Sequence, residues 1–418
     1  MVLLGKKITW RNILMFLAIV GPGIITANVD NDAGGITTYS VAGAQFGYRL
    51  LWVFIPMTLA LIVVQEMSAR MGAVSGKGLA DLIREHFGVR LTVFLLIGLL
   101  IADAGNTVAE FAGVASSLEV FGISKYITVP IGALLVWLLV VKGTYRRVEK
   151  VFLIASAVFI AYVLAGLLAH PDWPVVARAT LIPSFSTDSA YLSMFVGLIG
   201  TTIAPWMQFY IQSAIVEKGV TAKEYHLSRW DVILGCFMTD IVAIFIVIAC
   251  AATLNKAGVT INDAKDAAIA LKPLAGQYAS LLFALGLFNA SIFAASILPL
   301  ATAYYVCEAL GFEAGVDKTF KEAPQFYTLY TVIIIFGALI ILIPNAPLVL
   351  IMLWSQVVNG ILLPFVLVFM LKIINDKKIM GSYTNSKLFN GIAWGTTGIM
   401  ISLTLLLVVS SLFPNLLG

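Results

Sequence analysis

The sequence predicts an all-α integral membrane protein of about eleven spanning helices, arranged as two five-helix repeats of inverted topology and one further helix. Three observations predict it. Of 418 residues, 60% are hydrophobic and 11% charged, and the mean hydropathy is +0.98; a water-soluble surface needs far more charge. The chain divides into apolar segments of about 20 residues, the length that crosses a bilayer, separated by short polar breaks. The first and sixth of these segments are interrupted by Gly and Pro, in corresponding places.

The segments lie at 13–39, 50–69, 91–118, 126–141, 149–169, 190–216, 230–254, 276–309, 326–343, 346–371 and 390–413. Residues 13–169 form the first repeat, 190–371 the second and 390–413 the additional helix, all in a single transmembrane domain. No stretch between them is long enough to fold separately in water. Cys236, Cys250 and Cys307 fall within spans, so no disulfide framework is expected. Lys6, Lys7 and Arg11 precede the first apolar run, and no small-residue cleavage site follows it. The run reads as a retained span and not a signal peptide.

With the N-terminus in the cytoplasm, the outer segments hold only Arg49, Lys125, Arg178, Lys256, Lys265 and Lys272 of the 26 Lys and Arg. That bias follows the positive-inside rule and predicts a multi-pass protein of the cell membrane, plasma or inner, with its C-terminus outside. The mild basic excess is topological. It gives no argument for nucleic acid; the expected partners are the lipid bilayer and a small substrate, with no obligate protein partner.

No Lys or Arg is left for the middle of a span, yet Asp30, Asp32, Asp103, Glu110 and Asp240 fall inside or near the middle of spans. A charged side chain at the bilayer centre costs about 2.5–3.5 kcal/mol on insertion scales, so it faces a cavity and takes a partner. Lacking a protein cation, these acids have a metal ion or a proton as natural counter-charge. For Asp103 and Asp240 the alternative is a protonated or locally solvated acid.

The first interruption is "GPGIITANVDNDAGG", with Pro22 and Gly23 early and Gly34 and Gly35 late around the acids. A straight spanning helix disfavours that content. A discontinuous helix, unwound to present backbone carbonyls and a carboxylate to a small cation, suits it. The sixth segment, "LIGTTIAPWMQFYIQSA", places Gly200, Thr201, Thr202 and Pro205 at its centre. A lone break is weak evidence because such kinks are common; a matched pair points to an inverted-repeat transporter.

Several motifs carry a family resemblance: "GPGIITA", "AGAQFGYRLLWV", "SARMGAVSGK", "AEFAGVA", "PDWPVV", "YIQSAIV", "SQVVNGILLPF" and "DKKIMG". In these the chain resembles, almost end to end, the natural resistance-associated macrophage protein (Nramp) family of divalent-metal transporters. The resemblance implies a LeuT-like fold, with metal bound between the unwound parts of spans 1 and 6. The expected site is drawn from Asp32, Val29, Gly35, Thr201, Ala204, Gln356 and Asn359; Gln356 matches the family's "SQVV" motif, whereas Asn359 stands where the family's usual residue is small or apolar. The metal is cargo, and no cofactor is expected.

The departures are informative. Where the family has Asp-Pro-Gly-Asn, this chain has Asp32-Ala33-Gly34-Gly35; where the family has Met-Pro-His, it has Ala204-Pro205-Trp206. The "PWMQFY" stretch is also one residue longer than the usual spacing, and Met207 reads as packing rather than a relocated ligand. A thioether favours softer transition metals, whereas carboxylate, carbonyl and water suit Mg²⁺, Ca²⁺ and Mn²⁺. Mg²⁺ keeps several waters and uses one or two carboxylates. Removing the Met and Asn ligands leaves one carboxylate, some carbonyls and room for water. That pattern is similar to the Nramp-related magnesium transporter branch, so uptake of partly hydrated Mg²⁺, with Mn²⁺ as a second ion, is expected.

Family metal uptake uses a His after the sixth-span Pro and an acid early in span 3; Trp206 and Leu100 occupy those positions here. His86, His170 and His226 are expected in loops, which predicts transport without proton coupling. Asp103, one turn from Leu100, is the candidate substitute, and Glu110 is expected to hydrogen-bond a neighbouring helix. Gln356 and Asn359 share a face of span 10, where they either bond a hydrated ion or join helices. Asn289 reads as interhelical glue, and Trp10, Trp52, Trp137 and Trp173 as interface anchors. The competing readings are a proton-coupled Mn²⁺/Fe²⁺ symporter, an organic-cation or amino-acid carrier on this fold, and a channel. An intramembrane hydrolase would want a nucleophile–base or His constellation within the spans, and no His is expected there.

Overall fold

The computed structural model describes residues 2–3, 6–7, 22–142 and 156–412. The first expected span therefore enters the description at Pro22 and the fifth at Ser156. Trp10, Arg11, Arg146, Arg147 and Lys150 lie outside the described residues.

The longer helices are α1 (Pro22–Asp30), α2 (Ala33–Phe46), α3 (Phe54–Ser75), α4 (Leu79–Phe87), α5 (Val89–Glu119) and α6 (Lys125–Val141). There follow α7 (Ile160–Leu168), α8 (Trp173–Leu181), α9 (Ser189–Thr202), α10 (Pro205–Glu217) and α11 (Tyr225–Cys250). The last four are α12 (Ala279–Leu310), α13 (Pro324–Ile341), α14 (Leu348–Ile374) and α15 (Lys387–Leu412). Among the described residues, 8 helical stretches are long and apolar enough to cross a membrane, α9 with α10 counting as one. The other expected spans are the divided pair α1–α2, the 17-residue α6, and α7, which is bent by 114° against α8.

Helix starts are fixed by side chains that accept from otherwise orphaned backbone N–H groups. Asp188 accepts from Ala190 and Tyr191 at the head of α9 (3.1 Å each), and Asp172 from Val175 at the head of α8. The first turn of α1 is capped from afar: Asp231 on α11 accepts from Gly23 (2.8 Å) and Ile24 (3.3 Å). Around this entry α11 packs along α1, α2 and α3, while α5 packs on α12 and α14.

Helices α9 and α14 approach most closely at glycine. A Cβ on Gly200 would lie 2.1 Å from the Gln356 carbonyl oxygen and 2.4 Å from the Gly360 nitrogen; one on Gly360 would lie 2.4 Å from the Val196 carbonyl oxygen. No side chain fits there.

Three expectations change. The first span does not end at 39 but continues in α2 to Phe46. The second continues to Ser75, so Arg70 lies inside α3; it is 8% exposed and bonded to Glu66 at 3.0 Å. Arg70 also donates to the carbonyls of Tyr383 (3.0 Å) and Thr384 (3.2 Å), tying α3 to the segment before α15. Finally, His86 falls in α4 and His226 in the first turn of α11, so only His170 keeps a connecting position.

Candidate functional site

The two interruptions are each two residues long and differ from the positions that glycine marks. Asn31 and Asp32 separate α1 from α2, so Gly34 and Gly35 already belong to the first turn of α2. Ile203 and Ala204 separate α9 from α10, with Gly200, Thr201 and Thr202 helical and Pro205 opening α10. Pro suits that first position because its missing N–H would have no partner there.

Asp32 is the N-cap of α2: its Oδ1 accepts from the Gly35 amide at 2.6 Å. Glu110 on α5 joins it, with Oε2 accepting from the Ala33 amide at 3.3 Å. Two carboxylates thus face one helix N-terminus, whose partial positive charge favours them.

The two breaks meet beside Gly35. A Cβ placed on Gly35 would lie 2.5 Å from the Asp30 carbonyl oxygen, 3.2 Å from Thr201 Oγ1 and 3.4 Å from Asp32 Oδ1. Three oxygens, one from the end of α1, one from the end of α9 and one from the break itself, therefore converge on the space a side chain would fill. Helix C-terminal ends carry partial negative charge, and oxygens so grouped suit a small hard cation.

Gln356 lies against the neighbouring glycine: a Cβ on Gly34 would come within 1.9 Å of its Nε2. Its Oε1 accepts from Asn359 Nδ2 (3.0 Å), and Asn359 pairs in both directions with Asn106 of α5 (2.9 and 3.1 Å). Asn106 also donates to Asp103 Oδ1 (3.2 Å), and Thr302 of α12 donates to Asp103 Oδ2 (3.4 Å). Asn359 is thus one member of a buried polar chain joining α14, α5 and α12. Sequence reading missed Asn106, although Asp103, Asn106 and Glu110 stand at helical spacing on one face. Leu100 does not share their surroundings; it is 36% exposed and Asp103 fully buried.

Val29 and Ala204 sit differently from the others. Their side chains belong to an apolar cluster with Ile25, Trp206, Met207 and Tyr210, so only their carbonyls could meet an ion. That of Ala204 already accepts from the Met207 amide at 3.2 Å. With the Gln208 amide oriented to satisfy both its atoms, Gln208 donates to it as well, at 2.6 Å. The Met207 sulfur faces Gln65 Nε2 (3.6 Å). Asn289 makes no side-chain hydrogen bond through Nδ2 among the described residues, so its expected role as glue is not met. Trp52 and Trp137 join segments, donating to the Ser184 carbonyl (3.0 Å) and Thr331 Oγ1 (2.9 Å).

Two interrupted helices apposed break to break within an all-helical membrane body define a transporter of the LeuT-like class. The closed form of Mhp1, a nucleobase-cation-symport-1 family transporter, shares that fold, with a TM-score of 0.55 at 14% identity over 94% of each chain. The crystal structure of the Eremococcus coleocola manganese transporter with an aromatic bis-isothiourea compound gives a TM-score of 0.76 at 24% identity, covering 97% of this chain and 88% of that one. The divalent metal cation transporter MntH of Klebsiella pneumoniae subsp. pneumoniae is 29% identical over 405 residues, 95% of each chain. The family described as natural resistance-associated macrophage protein-like matches residues 23–410. The chain belongs to the Nramp family.

Proposed function

We propose that this protein is a secondary transporter that takes up divalent metal ions, Mg²⁺ foremost and Mn²⁺ with it, carried partly hydrated between the two helix breaks. The single observation that supports it most is the convergence of the Asp30 carbonyl, Thr201 Oγ1 and Asp32 Oδ1 around Gly35, where no side chain intervenes. These donors are all oxygen, which favours Mg²⁺ and Mn²⁺ over softer metals. The similarity to a divalent metal cation transporter and to a manganese transporter supports the ionic class. In this reading Asp32 supplies the charge, Gly35 the close approach, Thr201 its hydroxyl and Val29 a backbone oxygen, while Ala204, its carbonyl already engaged, contributes by its small side chain. Gln356 and Asn359 then orient the surrounding water.

Transport proceeds without stoichiometric protons in this reading, because Trp206 and Leu100 carry no titratable group. The same reading divides the chain into two five-helix repeats, 13–169 and 190–371, with 390–413 appended, and puts the N-terminus in the cytoplasm and the C-terminus outside. Proteoliposomes loaded with a Mg²⁺-sensitive dye, run beside a pH dye, test both halves. Mg²⁺ entry without acidification is expected. Acidification that grows with metal concentration would favour the proton-coupled alternative, for which the Glu110 carboxylate beside Asp32 is the supporting feature.

A further inference from the structure

We infer that Asp30, Asn31 and Asp240 form a second divalent-cation position, set between α1 and α11 beside the helix breaks. The inference rests on the transport reading above and adds a position for the same class of ion. Asp30 ends α1, and while its carbonyl faces Gly35 its side chain meets α11, where Thr239 Oγ1 donates to Oδ2 at 3.0 Å. Asn31 Nδ2 donates in turn to Thr239 Oγ1 at 2.9 Å. The Thr239 hydroxyl proton and one Asn31 N–H are then in use, and four acceptor oxygens are left over.

Asp30 Oδ1, Asn31 Oδ1 and both carboxylate oxygens of Asp240 are buried without a hydrogen-bond partner among the described residues. The three side chains belong to residues only 1%, 2% and 2% exposed. Asp240 adjoins Thr239 on α11 and lies within electrostatic reach of Asp30. The Thr58 hydroxyl is near Asp240 but directs its proton to the Phe54 carbonyl at 2.7 Å. Cys236, one turn before Asp240, directs its thiol at Gln65 Oε1 at 3.6 Å, so the ligands on offer are hard.

Buried, unpaired carboxylates are expensive in a low-dielectric interior. One water offers two protons to four uncommitted oxygens, whereas a hydrated divalent cation answers both the charge and the surplus of acceptors. A cavity of about 400 Å³ reaches Asn31 and Thr239 from one side; the rest of its lining is mostly apolar, so the ion would sit at its polar end and not within it.

Titration calorimetry of the purified full chain with Mn²⁺ alone tests this, beside anomalous diffraction from crystals soaked in Mn²⁺. Two ions per chain are expected, with one anomalous peak at Asp32 and a second among Asp30, Asn31 and Asp240. Asp240→Asn, nearly isosteric, should bind one ion and keep the Asp32 peak; Asp32→Ala should keep the other. A single ion in the unmodified protein, located at Asp32, overturns the second position and leaves the transport reading intact. Loss of all Mn²⁺ binding in the unmodified protein overturns both. Should Asp240→Asn fail to fold, Asp30→Asn and the map of the unmodified protein decide the question.

Discussion

The Asp32 carboxylate holds the Gly35 amide at 2.6 Å, so one side chain both starts helix α2 and brings negative charge to the place where the two broken helices meet. Those roles separate by substitution. Asn caps a helix about as well as Asp, whereas Ala gives up about 1 kcal/mol of cap. Asp32→Asn should therefore lose divalent-metal uptake with an unchanged melting temperature, and Asp32→Ala should lose both. Flux equal to that of the unmodified protein in a folded Asp32→Asn variant would remove the carboxylate from the site.

Gly35 tests the space itself. The Asp30 carbonyl is backbone and cannot swing aside, so a Cβ at 2.5 Å from it forces a shift. Gly35→Ala should cost about 1–3 kcal/mol, the range for overpacking, and reduce Mg²⁺ flux sharply. The same clash bears on restoring the family's ligands. Gly35→Asn with Ala204→Met should weaken Mg²⁺ transport by filling the gap. Any gain in Cd²⁺ affinity is expected to be smaller than the chemistry of the added ligands alone would give. Calorimetric titration with Cd²⁺ and a Mg²⁺ flux assay measure the two effects separately.

Selectivity among hard ions should follow size. Mg²⁺ and Mn²⁺ should compete for uptake, whereas Ca²⁺, which takes six to eight oxygens at longer distances, should be a poor competitor. A competition series in proteoliposomes gives the order directly. Efficient block of Mg²⁺ entry by equimolar Ca²⁺ would contradict it.

Arg70 and Glu66 make a prediction about stability. Removing one partner of a buried ion pair leaves the other charge uncompensated, at about 3–5 kcal/mol. Arg70→Ala also strands the carbonyls of Tyr383 and Thr384. A large fall in melting temperature is expected, and Glu66→Gln should be milder because the amide still accepts a hydrogen bond. Thermal unfolding in detergent, followed by tryptophan fluorescence, compares the two.

The broken helices were legible because their signals are local: Pro205 and the Gly-rich runs disfavour a continuous span wherever the chain folds. Which residues unwind was not legible. Gly34 and Gly35 look like the break and are instead helical, small because Gln356 and the Asp30 carbonyl press on them. The Gln356 contact joins positions hundreds of residues apart, and no pattern in a single segment records it. Asn106 was missed for the same reason, since its partner Asn359 is 253 residues away. The acids were visible as anomalies of composition, but only tertiary packing distinguishes Asp103, bonded on both oxygens, from Asp240, bonded on neither.

The crossing of Gly200 on Gly360 has a mechanical consequence. Contact of backbone on backbone leaves no side chains to slide over one another, so α9 and α14 are expected to move together. The other half of the interrupted span, α10, packs on α3 and α12 and is joined to α9 through Ile203 and Ala204 alone. If this span bends during transport, the dihedral angles of these two residues are where bending is expected, since Pro205 removes the N–H that would otherwise stiffen the junction. An ion beside Thr201 would then rest against the stiffer wall of the site, and any rearrangement around it is expected on the α10 side.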